Sequence, residues 1–196
     1  MKLYFIILFS TFYSCTNNKA QDTMKYNKFT PEEEKGNTDT VYFAGGCFWG
    51  TEYHFRKVAG VISTSVGFTG GYKNDPTYHD VCTGTTGHAE VVQVIYDPSK
   101  VSFEKLAKLF FEIHDFTQTD GQGPDIGEQY RSEIFYTKTE QKLISRQLMD
   151  ILINKGYMVV TKLKPAGKYW IAENYHQDYY EKKGSKPYCH VYRKIF

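Results

Sequence analysis

One thiol in this chain stands where a nucleophile would. Cys47 lies between Gly45-Gly46 and Phe48-Trp49-Gly50, directly after the apolar run Val41-Tyr42-Phe43-Ala44. That run reads as a buried strand, and Thr51 to Val58 holds neither Gly nor Pro, so Cys47 falls where a strand turns into a helix. There the unpaired N–H groups and the positive end of the helix dipole favour thiolate over thiol. A cysteine on an apolar segment is otherwise a small packed hydrophobe. Two features of the context argue for chemistry: the flanking glycines let another molecule approach the sulfur, and Phe48 and Trp49 offer rigid apolar surface to a small apolar group. The second candidate is a carboxyl. Glu90 stands near the head of the apolar run Ala89 to Tyr96, where burial would raise its pKa toward neutrality; turned to solvent at the strand end, it would do nothing.

Gly-Cys-Phe-Trp-Gly at 46–50 resembles the signature of the A-type peptide methionine sulfoxide reductases. Further matches occur in order: Gly67-Phe68-Thr69-Gly70-Gly71, Pro76-Thr77-Tyr78, Thr86-Gly87-His88-Ala89-Glu90-Val91, Tyr96-Asp97-Pro98, Gln129-Tyr130-Arg131-Ser132 and Tyr175-His176-Gln177-Asp178-Tyr179. The resemblance runs from about Val41 to about Val191. It implies reduction of the S epimer of methionine sulfoxide, free or in proteins, with no cofactor and with electrons from a thioredoxin-like donor. Carried over by motif, Cys47 is the attacking thiolate and Glu90 the neutral acid that protonates the sulfoxide oxygen. Tyr78 and Tyr130 are phenols that donate to the same oxygen, Asp125 lines the site, and Phe48 with Trp49 forms the methyl pocket. The chemistry is consistent with those roles, because a sulfoxide oxygen leaves poorly unless it accepts a proton.

Oxygen transfer would leave Cys47 as a sulfenic acid, which a second thiol converts to a disulfide before further oxidation. Cys82 and Cys189 both qualify. Cys189 sits on a tail containing Gly, Ser and Pro that is able to swing, and its segment resembles the recycling cysteine of two-cysteine members, so a Cys47–Cys189 disulfide is expected. Two other readings compete: a general thiol-disulfide oxidoreductase, which has no use for a buried acid, and a module that binds oxidised methionine without reducing it. A zinc site is disfavoured, since Cys189-His190, His176 and His88 show neither CxxC nor HxxxH spacing. His88 and His176 are expected to support structure or the site's surroundings.

The elements that must position these groups can be read from periodicity. Strands are expected at Val61–Phe68, Ala89–Tyr96, Tyr130–Tyr136 and Met158–Leu163, and helices at Ser102–His114, Lys138–Asn154 and Glu173–Lys183. Tyr72 to Tyr78 and Thr119 to Gly127 read as loops. Strands mixed with unequally spaced helices predict an α+β two-layer sandwich with a mixed sheet. With 196 residues, 41% hydrophobic and 17% aromatic, the chain suffices for one well-filled domain, placed at 39–196. A formal net charge of +2, with acidic residues interleaved among the lysines, gives no basic stripe for nucleic acid, and a monomer is expected.

The first fifteen residues differ in kind. Lys2, the apolar stretch Leu3 to Phe9 and the small residue Ser14 before Cys15 have the proportions of a secretory signal and resemble a bacterial lipoprotein leader. A lipid on Cys15 would hold the protein at a membrane, facing the periplasm; the alternatives are an ordinary cleaved signal and an uncleaved anchor. The polar residues 16–38 read as a flexible tether. With Cys15 set aside, three cysteines remain, an odd number that argues for at least one working thiol.

Overall fold

The computed structural model describes residues 37–196. The leader over 1–15, with Cys15, and the tether over 16–38 apart from its last two residues lie outside the described residues. In chain order the elements are β1 (Asp39–Gly45), α1 (Phe48–Phe55), β2 (Val61–Thr69), α2 (Tyr78–Cys82), β3 (Ala89–Tyr96), α3 (Phe103–Ile113), β4 (Gly121–Gln122), β5 (Asp125–Ile126), β6 (Ser132–Tyr136), α4 (Thr139–Asn154), β7 (Lys162–Pro165), β8 (Trp170–Ile171) and α5 (Tyr179–Lys183). One sheet runs β7-β6-β1-β3-β2-β8, and β4 with β5 forms a separate small ribbon. Neighbours in the large sheet are antiparallel except β6 and β7, which are parallel, so the sheet is mixed and the architecture is α+β.

Side-chain alternation decides which residues meet the helices. On β1, Val41 and Phe43 enter the main core with Phe55 of α1 and Phe103 and Phe110 of α3, while Ala44 joins a smaller cluster with Ala89, Val91 and Phe135. The Phe43 ring stacks on Phe55 and Phe110 with centroids 4.6 and 5.0 Å apart. On β3 the same period of two puts Val92, Val94 and Tyr96 in the main core and Val91 in the smaller one. Glu90 shares the parity of Val92 and Val94, and therefore lies on the helix side of the sheet, under α1.

One segment left unassigned forms a helix, and three expectations need correction. The segment after the Tyr72 loop forms a helix, α2, because Thr77 accepts from the Asp80 N–H while Asp80 accepts from Thr77, a complete capping box. Tyr130 closes a 3-10 turn, Glu128–Tyr130, ahead of β6 rather than starting the strand. The strand expected at Met158–Leu163 begins at Lys162, since the Val160 N–H donates to the Phe116 carbonyl and not to the sheet. The helix expected at Glu173–Lys183 is confined to α5, because Asp178 takes a left-handed conformation (φ 56°) that breaks it.

Candidate active site

Cys47 is the residue before α1, as its setting between strand and helix suggested. The bend that places it there needs Gly46, whose φ is +89° and where an added Cβ would fall 2.4 Å from Gln122 Cγ. One residue later the Phe48 N–H, an unpaired donor of the first helical turn, reaches the Glu90 carboxyl at 3.1 Å through Oε2. Glu90 is 1% exposed, and its Oε1 has no hydrogen-bond partner. Burial, reinforced by the Asp125 charge, pushes its pKa up to about 8 against the Phe48 N–H, so the carboxyl is largely protonated at neutral pH.

The thiol differs from expectation. Burial raises the Cys47 pKa well above the usual cysteine range; the charges of Glu90, Cys189 and Asp125 push the same way, and only the Trp49 N–H favours thiolate. Desolvation thus outweighs the end of a helix only two turns long. In the free site sulfur is held as thiol, and a protonated Glu90 removes the largest like-charge repulsion on it.

The structure gathers the other sequence candidates around this pair. Tyr78, half-buried at the start of α2, stacks on Phe48 with ring centroids 6.3 Å apart and lies 4.3 Å from the His176 ring. Tyr130 is half-buried at the end of its turn. Both phenols are pushed far up, foremost by burial, and the Glu90 charge acts on each, which keeps them as O–H donors. Asp125, delivered by the β4-β5 ribbon, faces the same space, since its charge acts on Cys47, Glu90, Tyr130 and Cys189. Phe48 is fully buried and serves as the floor. Trp49 is half-buried, stacked on Tyr179 at 3.8 Å, with its indole N–H donated to His176 Nδ1 at 3.0 Å. Cys189 is half-buried and unpaired, and it interacts with Cys47 through its charge. Cys82, at the end of α2, is exposed and hydrogen-bonded to Tyr78.

Some supporting residues gave little signal in the sequence. Glu52 on α1 accepts from Thr64 at 3.1 Å and from the Asp178 N–H at 2.9 Å, and so holds the turn that presents His176 and Tyr179 to Trp49. Burial, with the Asp178 charge, pushes its pKa up to about 7. His88 accepts from the Gly71 N–H and donates to the Lys73 carbonyl, which fixes the loop before α2. Among the described residues no group of three or more His, Cys, Asp or Glu is placed to hold a metal.

A thiol at a helix start, packed beside a protonated buried acid and within electrostatic reach of a second thiol, defines a cysteine-based oxidoreductase with an acid at its reacting sulfur. The family model described as Peptide methionine sulfoxide reductase matches residues 39–195. The peptide methionine sulfoxide reductase MsrA of Geobacter metallireducens is 48% identical over 158 residues, 79% of this chain and 94% of that protein. Among solved structures, reduced Mxr1 from Saccharomyces cerevisiae is 33% identical with a TM-score of 0.76, over 86% of this chain and 97% of that one. Methionine sulfoxide reductase A of Corynebacterium diphtheriae is 39% identical with a TM-score of 0.69, over 77% of each chain. Mxr1 has also been solved in complex with Trx2; at 24% identity, a TM-score of 0.55 and coverage of 86% and 96%, that likeness concerns the fold. This chain belongs to the A-type peptide methionine sulfoxide reductase family, and it is an oxidoreductase that reduces methionine sulfoxide.

Proposed function

We propose that the chain reduces the S epimer of methionine sulfoxide by attack of the Cys47 sulfur, with Glu90 as the acid. The observation that carries this reading is the half-satisfied Glu90: a buried carboxyl, protonated at neutral pH, with one oxygen on the Phe48 N–H and the other without a protein partner. A sulfoxide oxygen set against that carboxyl and the Tyr78 and Tyr130 hydroxyls would meet three donors. Its S-methyl group would rest on Phe48 and Trp49. As the Cys47 sulfur bonds to the substrate sulfur, the oxygen takes the Glu90 proton, and the proton lost by the thiol returns the Glu90 carboxyl to its neutral form. Oxygen then passes to Cys47. The products are the thioether and a Cys47 sulfenic acid, so the substrate sulfur is reduced and Cys47 oxidised. Cys189 closes a disulfide with Cys47, and a thioredoxin-like dithiol reopens it.

Support for that donor comes from yeast Mxr1, a relative known in complex with Trx2, and from the exposed apolar side chains of Tyr188, Val191 and Tyr192 beside Cys189. Peptides carrying the two separated sulfoxide epimers test the specificity. With a thioredoxin-like reductant the S peptide is expected to be consumed and the R peptide to persist; equal consumption of both would sink the assignment.

The apolar stretch Leu3 to Phe9 and the Ser14-Cys15 pair that follows it support a further placement, with a lipid on Cys15, a tether over 16–38 and the catalytic domain over 39–196 outside the cytoplasm, facing the periplasm. Cells grown with a palmitate analogue are expected to label the full chain and not Cys15→Ser. Label retained by the variant would remove the anchor from the account.

A further inference from the structure

The tail that carries Cys189 is fixed at the next residue. His190 is 2% exposed, with its Nε2 2.6 Å from the Gly45 carbonyl oxygen and 3.1 Å from Thr51 Oγ1. A carbonyl only accepts, so the ring proton sits on Nε2. Burial, reinforced by the His54 charge, pushes the His190 pKa down to about 4 and keeps the ring neutral. Nδ1 therefore holds a free lone pair, and the Cys189 Sγ lies 3.1 Å from it. The ring has little room to turn. It packs so closely over Gly50 that an added Cβ there would fall 2.2 Å from Nδ1. The His54 ring, through Nε2, also donates to the His190 carbonyl at 3.0 Å. The strand that ends beside Cys47 thus aims an unprotonated nitrogen at the second thiol.

We propose that His190 is the proton acceptor for Cys189 when that thiol closes the disulfide with Cys47, a role that rests on reading Cys189 as the recycling thiol. The Cys189 sulfur attacks the sulfur of the Cys47 sulfenic acid; the S–S bond forms and the S–O bond breaks. Cys189 is oxidised and Cys47 reduced. The Cys189 proton passes to His190 Nδ1, and the departing hydroxide takes the Glu90 proton and leaves as water. Exchange with solvent then returns both groups to their resting states. Burial, with the Asp125 charge, pushes the Cys189 pKa up to about 11, so the neutral imidazole does not form a thiolate ahead of attack. Once the sulfur has committed an electron pair to the new bond its proton becomes strongly acidic, and a weak base in contact suffices. An acid on one side of the S–S bond and a base on the other fit the two charges that this step develops.

The test oxidises the full chain with a single equivalent of methionine sulfoxide peptide, without reductant. Sulfenic acid and disulfide are then tracked by rapid quench, thiol alkylation and mass measurement. His190→Gln keeps an amide N–H for Gly45 and removes the base at Nδ1. Its ratio of disulfide-forming to sulfenic-acid-forming rates is expected to fall about 10²-fold below wild type. Because both rates are read on the same molecules, the fraction that folds cancels. His190→Asn offers an amide oxygen near Nδ1, which accepts a hydrogen bond but does not take the proton, and is expected to stay slow. A wild-type ratio in His190→Gln, or rescue by His190→Asn, would overturn the role. Cys189→Ser reports separately on the underlying reading: a disulfide that still forms there means that the recycling thiol lies elsewhere, whatever His190 does.

Discussion

Glu90→Gln is expected to lower kcat/KM for methionine sulfoxide by about 10²- to 10⁴-fold, the range for losing a positioned general acid. The amide preserves the shape of the carboxyl and an oxygen for the Phe48 N–H, but it has no proton to give. The pH dependence makes the test specific. With its pKa pushed up to about 8, Glu90 carries its proton at neutral pH and loses it as pH rises further. The wild-type rate should therefore bend downward near that pH, and the bend should be missing in the variant. Stability moves in a related way. The folded pKa lies above the ordinary carboxylic value, so between about pH 4.5 and 8 the unfolded chain ionises Glu90 while the folded chain keeps the proton. Wild type loses this contribution to stability as pH climbs through that window. Glu90→Gln has no such loss and should gain in denaturant midpoint relative to wild type toward pH 8 and above. A variant with near-normal kcat/KM, or a bend that survives the substitution, would remove Glu90 from the chemistry.

Legibility in the sequence depended on the range of the forces involved. The strand β3 and the helix α3 are written in local alternation and periodicity, and the Ser102 cap was readable too: its hydroxyl accepts from the Lys105 N–H at 3.2 Å. Glu90 was visible because a carboxylic acid near the head of an apolar strand breaks the pattern. The capping box Thr77-x-x-Asp80 was equally present, but a five-residue helix leaves no periodicity to accompany it. Longer reach was not legible. Glu52 meets the Asp178 N–H across 126 residues of chain, and His190 meets Gly45 across 145, and no local pattern records such partners. The ionisation of Cys47 was misread for the same reason. Helix position is a local property, whereas desolvation sums everything packed around the sulfur, and here the second is larger.

Cys189→Ser is expected to reduce a single sulfoxide per enzyme and then stop when a thioredoxin-like protein is the only reductant. The first oxygen transfer does not involve Cys189, so methionine should still appear as a burst equal to the enzyme present. Recycling then needs a thiol that can reach Cys47. The Cys47 sulfur is buried, and a protein dithiol cannot enter where a methionine side chain does. Cys189 can carry the oxidation outward: it is half-buried within electrostatic reach of Cys47 yet flanked by the exposed Tyr188 and Val191. Its loss should leave the sulfenic acid standing, open to trapping by a dimedone reagent, while a small dithiol that diffuses into the site restores slow turnover. Cys82 offers the competing outcome. It is exposed at the end of α2 and hydrogen-bonded to Tyr78, close enough to the site for the Glu90 charge to act on it. If Cys189→Ser keeps turning over with the protein donor and Cys82→Ser does not, the recycling thiol sits on α2 and the tail serves only to cover the site. The short distance from Cys189 to His190 Nδ1 argues for the tail, because the Cys82 sulfur faces no base: its neighbour is the Tyr78 phenol, whose O–H donates to it.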